Sequence, residues 1–146
     1  MSGDWIDDPL RLQELRADLL ADGAALAGVG TPAWIHRPST LRRVASELAR
    51  ALPPHFDRIV ATGDGAEALG AAVSLATGVA FGKEGDMVVP GEQIVVVAAR
   101  AADAHAYQND AVTVVARRAV WAMPPGADAL FTLPSSPIIS PREDLS

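Results

Sequence analysis

The chain contains no cysteine, and aromatic residues make up only 5% of its 146 positions. The first absence excludes thiol catalysis and disulfides, and with them the usual mark of a secreted scaffold, so a cytoplasmic protein is the default expectation. The second argues against an aromatic-rich sandwich and for alanine-rich helices packed on a sheet. A basic excess is missing as well: 12 Lys and Arg stand against 18 Asp and Glu, a net charge of −6. Nucleic acids and anionic membranes both need a positive footprint, so neither is expected as a partner. The pairs Arg42-Arg43 and Arg117-Arg118 read as solvated faces. No apolar run approaches the roughly 20 residues of a membrane span, and residues 1–8 are polar and acidic, unlike a signal peptide. His36, His55 and His105 are scattered without ligand spacing, so no metal is expected.

What is present is enough for one domain. Hydrophobic residues make up 49% of the chain, and this length buries a real core without metal or disulfide support. Asp8-Pro9 is a helix start, a carboxylate cap followed by proline at the first helical position. Leu12, Leu15 and Leu19 then fall on one stripe. After a loop with Gly28, Gly30 and Pro32, the residues Trp34, Ile35 and His36 read as a short extended piece. Ser39 or Thr40 caps a second helix whose apolar face is Leu41, Val44, Ala45, Leu48 and Leu52, stopped by Pro53-Pro54.

From residue 58 the pattern alternates. Strands are expected at 58–61, 79–81, 94–97, 112–121 and 129–133. Helices are expected at 66–77, with Leu69, Val73 and Ala76 inward and Gly78 closing it, and in part of 100–109. The unbroken run Ile94, Val95, Val96, Val97 signals burial on both faces, as in a parallel sheet. Arg117-Arg118 inside the fourth run suggests an edge strand, a twist or an inter-subunit contact. The pattern defines an α/β fold with a mostly parallel twisted sheet flanked by helices. Residues 1–133 form the domain, and 134–146 a mobile tail.

Ligands of such sheets bind beyond the C-terminal ends of the strands, which singles out two turns. In the first, Thr62, Gly63, Asp64 and Gly65 join a strand to a helix N-terminus. Glycine backbone and helix dipole together suit a phosphate or pyrophosphate. Equally, Asp64 caps the helix and the glycines serve only the turn. No Gly-Lys-Ser/Thr follows, so the loop is not a Walker A motif. The second turn, residues 98–105, offers Ala98, Ala99, Arg100, Ala101 and Ala102 before its first carboxylate, Asp103. Asp103 and His105, two apart, do not face each other on a helix.

Taken in order, these segments resemble a type I phosphoribosyltransferase, and most of all its orotate branch. "TPAWIH" (31–36) stands where that family has a Ser-Pro-x-Tyr-Ile-Asp-like segment. "DRIVATGDGAEALGAAVSLATGVAF" (57–81) follows the family's strand, pyrophosphate loop and alanine-rich helix. Gly82-Lys83 stands for its Arg-Lys, and "GEQIVVV" (91–97) leads into the phosphoribosyl-diphosphate motif. The resemblance spans about residues 9–133.

It breaks at the motif itself. The two acids that bind the ribose hydroxyls in the family fall here on Ala98 and Ala99, and its Thr-Thr-Gly phosphate turn falls on Ala102, Asp103 and Ala104. Two lost hydrogen bonds to charged groups amount to about 3–6 kcal/mol. The family's mobile hood is also reduced, because only residues 82–93 separate the second strand from the third. The resemblance therefore implies a phosphoribosyltransferase-like homodimer that has lost transferase activity. It would serve as a binding or regulatory module, with Thr62, Gly63, Asp64 and Gly65 as the anion loop and Lys83, Arg100, Asp103 and His105 as further contacts for a phosphate-bearing ligand. One alternative is a divergent transferase whose altered site uses Asp64, Lys83 and Asp103, with magnesium and phosphoribosyl diphosphate. Another is a structural partner of an intact paralogue. No cofactor is expected outside the enzyme alternative.

Overall fold

A computed structural model describes residues 9–22, 31–122 and 129–132. Helix α1 (Pro9–Asp22) buries Leu15 and Leu19, with Leu12 beside them, as the stripe requires. The Asp8 cap, Gly28, Gly30 and the tail beyond 133 lie outside the described residues. The extended piece expected at residues 34–36 is instead a 3₁₀ turn, Ala33–His36. The Ile35 N–H donates to the Pro32 carbonyl at 3.1 Å, and this closure lets adjacent Trp34 and Ile35 both turn inward.

Helix α2 (Pro38–Arg50) begins ahead of Ser39, and neither Ser39 nor Thr40 is its cap. Arg37 occupies that place without a side-chain bond, and Pro38, already fixed at a helical φ, starts the helix. Val44, Ala45 and Leu48 are buried, with Leu41 and Leu52 packed against them. Strand β1 (Arg58–Thr62) leads into α3 (Ala66–Thr77), whose Leu69 and Val73 are buried; Ala76, expected inward, is exposed. Gly78, at φ +79°, ends α3 in the left-handed conformation.

Strand β2 (Phe81–Lys83) starts two residues later than the pattern suggested. Ser74 Oγ donates to the Val79 carbonyl at 2.6 Å and the Val79 N–H donates to Thr77 Oγ1 at 3.2 Å, which keeps Val79 in the exit turn of the helix. The rest is β3 (Gln93–Arg100), α4 (Ala101–Ala106), β4 (Thr113–Ala122) and β5 (Ala129–Thr132). The five strands form one sheet in the order β2-β1-β3-β4-β5, and every pairing is parallel.

Alternation sorts the strand residues between two layers. On one face Ile59, Ala61, Val95, Val97, Ala99 and Val120 pack under α1, α2 and α3. On the other, Val60, Ile94, Val96 and Ala98 meet Ala104 and Tyr107 of the α4 segment. β4 is an interior strand, not an edge, and its arginines are not a solvated pair. Arg117 Nη1 donates to the carbonyls of Ala104 and Tyr107 (2.7 and 2.8 Å) at the end of α4. Arg118 Nε donates to the Ala51 carbonyl (2.8 Å) at the end of α2. Each guanidinium thus meets the negative end of a helix. Opposite Ile94 and Val95 the ladder steps from Val114 to Ala116, so Val115 is the extra residue of a bulge.

Candidate functional site

The C-terminal ends of β1 and β3 lie side by side, with Thr62 paired to Ala98. Gly63 and Gly65 take φ +82° and +77°, values that favour glycine. They turn the chain sharply into α3, and the Ala66 N–H closes on the Gly63 carbonyl at 3.2 Å. Thr62 is buried, and its Oγ1 donates to the Asp103 carbonyl at 3.0 Å, tying the loop to α4. The Asp103 carboxylate lies over Gly63, where any added Cβ would collide with it; Ile35 leaves equally little room at Gly65.

Asp64 does not cap α3: its N-cap is Gly65, and no side-chain cap bond forms. Instead the Asp64 carboxylate stands 3.6 Å from Arg100 Nη1, whose side chain is 13% exposed. Thr62, Gly63, Asp64, Gly65, Arg100 and Asp103 therefore come together at one edge of the sheet. Lys83, at the end of the outer strand β2, turns to Glu67 on α3, with 3.2 Å between Nζ and Oε2. His105 is exposed near the end of α4.

The second expected turn is not a turn. β3 continues through Ala98 and Ala99 to Arg100, and α4 begins at the next residue. Ala98 is 0% exposed and packs toward α4, while Ala99 is 2% exposed and belongs to the larger core. The segment between β2 and β3 is as short as expected and is held by its own backbone. Asp86 N–H bonds to the Lys83 carbonyl (3.0 Å), Glu92 N–H to that of Val89 (3.1 Å), and Gly91 N–H to that of Ala111 (2.7 Å). Among the described residues, no three His, Asp or Glu side chains gather as a metal site. No helix there is long and apolar enough to cross a membrane.

Three cavities, of about 470, 400 and 230 Å³, lie away from this edge, around the outer side of α2, and all three touch Ser46. The smallest is lined by Arg11, Arg42, Arg43 and Arg50 with Glu47 and Leu15. Arg42-Arg43 is thus more than a solvated pair. The spacing Arg42, Ser46, Arg50 on a helix, each four residues from the last, was the available signal: it sets two guanidiniums on one ridge with a small residue between them.

The sheet order, its uniform parallel direction and the glycine loop at the β1–α3 junction together define a type I phosphoribosyltransferase-like fold. Two solved structures carry that statement. UMP synthase of Leishmania donovani is similar at TM-score 0.55 and 21% identity over 68% of this chain, which is 28% of that one. Adenine phosphoribosyltransferase of Thermoanaerobacter pseudethanolicus is similar at TM-score 0.51 and 18% identity over 66% of this chain and 80% of that one. At such identities the likeness is one of fold. No family model and no curated protein matches the chain.

Proposed function

We propose that the chain is a binding module on a phosphoribosyltransferase-like fold that does not itself transfer phosphoribosyl groups. The supporting observation is the burial of Ala98 and Ala99 at 0 and 2% exposure within β3. The positions that would need carboxylates for ribose hydroxyls carry methyl groups sealed in two cores. Asp103 and Asp64 add to this. One carboxylate lies on Gly63 and the other stands beside Arg100, so a phosphate approaching the loop meets the Asp103 charge and must compete with Asp64 for Arg100. The short segment 84–92 leaves little chain to close over a reacting centre.

The test is turnover. With phosphoribosyl diphosphate, magnesium and either orotate or a purine base, the expected result is no diphosphate release above background, and any sustained turnover overturns the proposal. The homodimer belongs to the same reading. It is supported by Met87 and Val89, 92 and 54% exposed in the segment that follows the edge strand β2, and light scattering that returns a monomer mass would remove it.

A further inference from the structure

The two smaller cavities on α2 share Arg42 and Ser46, so one opens beside the other. Their linings differ in chemistry. The cavity of about 230 Å³ between α1 and α2 gathers four arginines. Two carboxylates oppose them: Glu47, and Asp18, which Arg43 Nη1 contacts at 2.7 Å. The cavity of about 400 Å³ between α2 and α3 is lined by Pro38, Leu41, Ala45, Ala72, Leu75 and Ala76, with Arg42 and Ser46 at its margin. Leu75 is 89% exposed there, a large apolar side chain on a wall of alanines.

Glu47 shows that the cationic half is built. It is 7% exposed, yet it accepts from Arg11 Nε at 2.6 Å and Arg50 Nη1 at 2.8 Å. A buried carboxylate is costly to desolvate, and this one holds two guanidiniums on the same wall of the cavity. Asp18 holds Arg43 in the same way from α1, at 2.7 Å, and ordering an arginine before a ligand arrives removes part of the entropy cost of binding.

We propose that this trough binds a small amphipathic anion. Its phosphate, sulfonate or carboxylate head lies against Arg42 and Arg43, and its flat apolar body covers Leu41, Ala72 and Leu75. The overall charge of −6 favours a small ligand over a nucleic acid. A polyanion meets the repulsion of the whole surface, whereas a small anion responds to charges within about 8–10 Å. The combined size also falls in the range of small-molecule sites, about 300–1,000 Å³. The trough is independent of the strand-end loop and of any transferase chemistry.

Two probes supply both halves of this chemistry, adenosine monophosphate and anilinonaphthalene sulfonate, and calorimetry on the full chain is the measurement. At least one is expected to bind once per chain, more weakly as salt rises. Inorganic phosphate and adenosine, each offering one half, are expected to bind about tenfold more weakly or not at all. Arg42→Ala and Leu75→Ser alter exposed side chains, so their thermal midpoints stay near the parent's, and each lowers the affinity about tenfold. Asp110→Asn, an exposed change ahead of β4 and outside both sites, leaves it unchanged. The proposal is overturned if neither probe binds at millimolar concentration, or if binding survives intact in both trough variants.

Discussion

Ala98 and Ala99 are neighbours in sequence and belong to different cores, one against Ala104 and Tyr107, the other against the large helical layer. A carboxylate at either place would be stranded in an apolar setting with no cation supplied. Ala99→Asp is therefore expected to cost about 3 kcal/mol or more, read as a lower urea midpoint, and to restore no phosphoribosyl-diphosphate binding. Much of this was legible from the residues alone, since alanine in place of an acid can be read without coordinates. What was hidden was the depth of the replacement. A strand that ends at Val97 would leave the alanines in an open turn, whereas β3 runs three residues further because small side chains fit under both layers. Asp103 was similar: the sequence placed a carboxylate near the phosphate turn but could not show it lying over Gly63.

At the scale of elements, the helices declared themselves through stripes and stop signals, and α3 ends at Thr77 before Gly78 as expected. The misjudged boundaries were decided by hydroxyls and arginines acting across space. Ser74 and Thr77 delay β2, and Arg118 reaches Ala51 from a strand sixty-seven residues away in sequence. Removing that reach in Arg118→Ala is expected to destabilise the fold by about 1–2 kcal/mol, measured by chemical denaturation, with Arg118→Lys in between. A second cross-element link joins β1 to the turn before β3. Arg58 Nε donates to Glu92 Oε1 at 2.8 Å, and Nη2 to Oε2 at 3.2 Å. This hydrogen bonding from Arg58, helped by the Val89 N–H and by the charge of Arg58, holds the Glu92 carboxyl below the ordinary glutamate range against the opposing effect of burial. The folded state thus favours the charged form. Its contribution to stability is present above the ordinary glutamate range and is lost as pH falls through the lower folded value. Denaturation midpoints taken across that acid window are expected to drop less steeply in Glu92→Gln than in the parent.

For the whole molecule, the fold and its cavities part company. A parallel sheet places ligands at the C-terminal ends of its strands, and here that edge is drawn together by Thr62, Asp64, Arg100 and Asp103. The three cavities described above collect around α2 on the outer helical layer. Sequence order was enough to give the architecture, because parallel strands joined by short crossovers admit few arrangements. It did not give the trough, which depends on how α1, α2 and α3 pack against one another.

The extra residue at Val115 acts on the sheet as a frame correction acts on a coding message. Side chains on a strand are read in twos. Val114 lies with the α4 layer, and plain alternation running on through Val115 would send Ala116, Arg118 and Val120 to that layer too. With the bulge, Ala116 pairs with Val95 and Arg118 with Val97, so Ala116 and Val120 enter the helical core and Arg118 finds α2 while Arg117 finds α4. Deleting Val115 alone joins Val114 to Ala116 in a regular ladder and leaves Ala116 opposite Val95, so both guanidiniums are expected to keep the helix ends they serve. The loss seen in denaturation should fall below that of Arg118→Ala, since the deleted side chain is itself 39% exposed and the contact of Arg118 with Ala51 is kept.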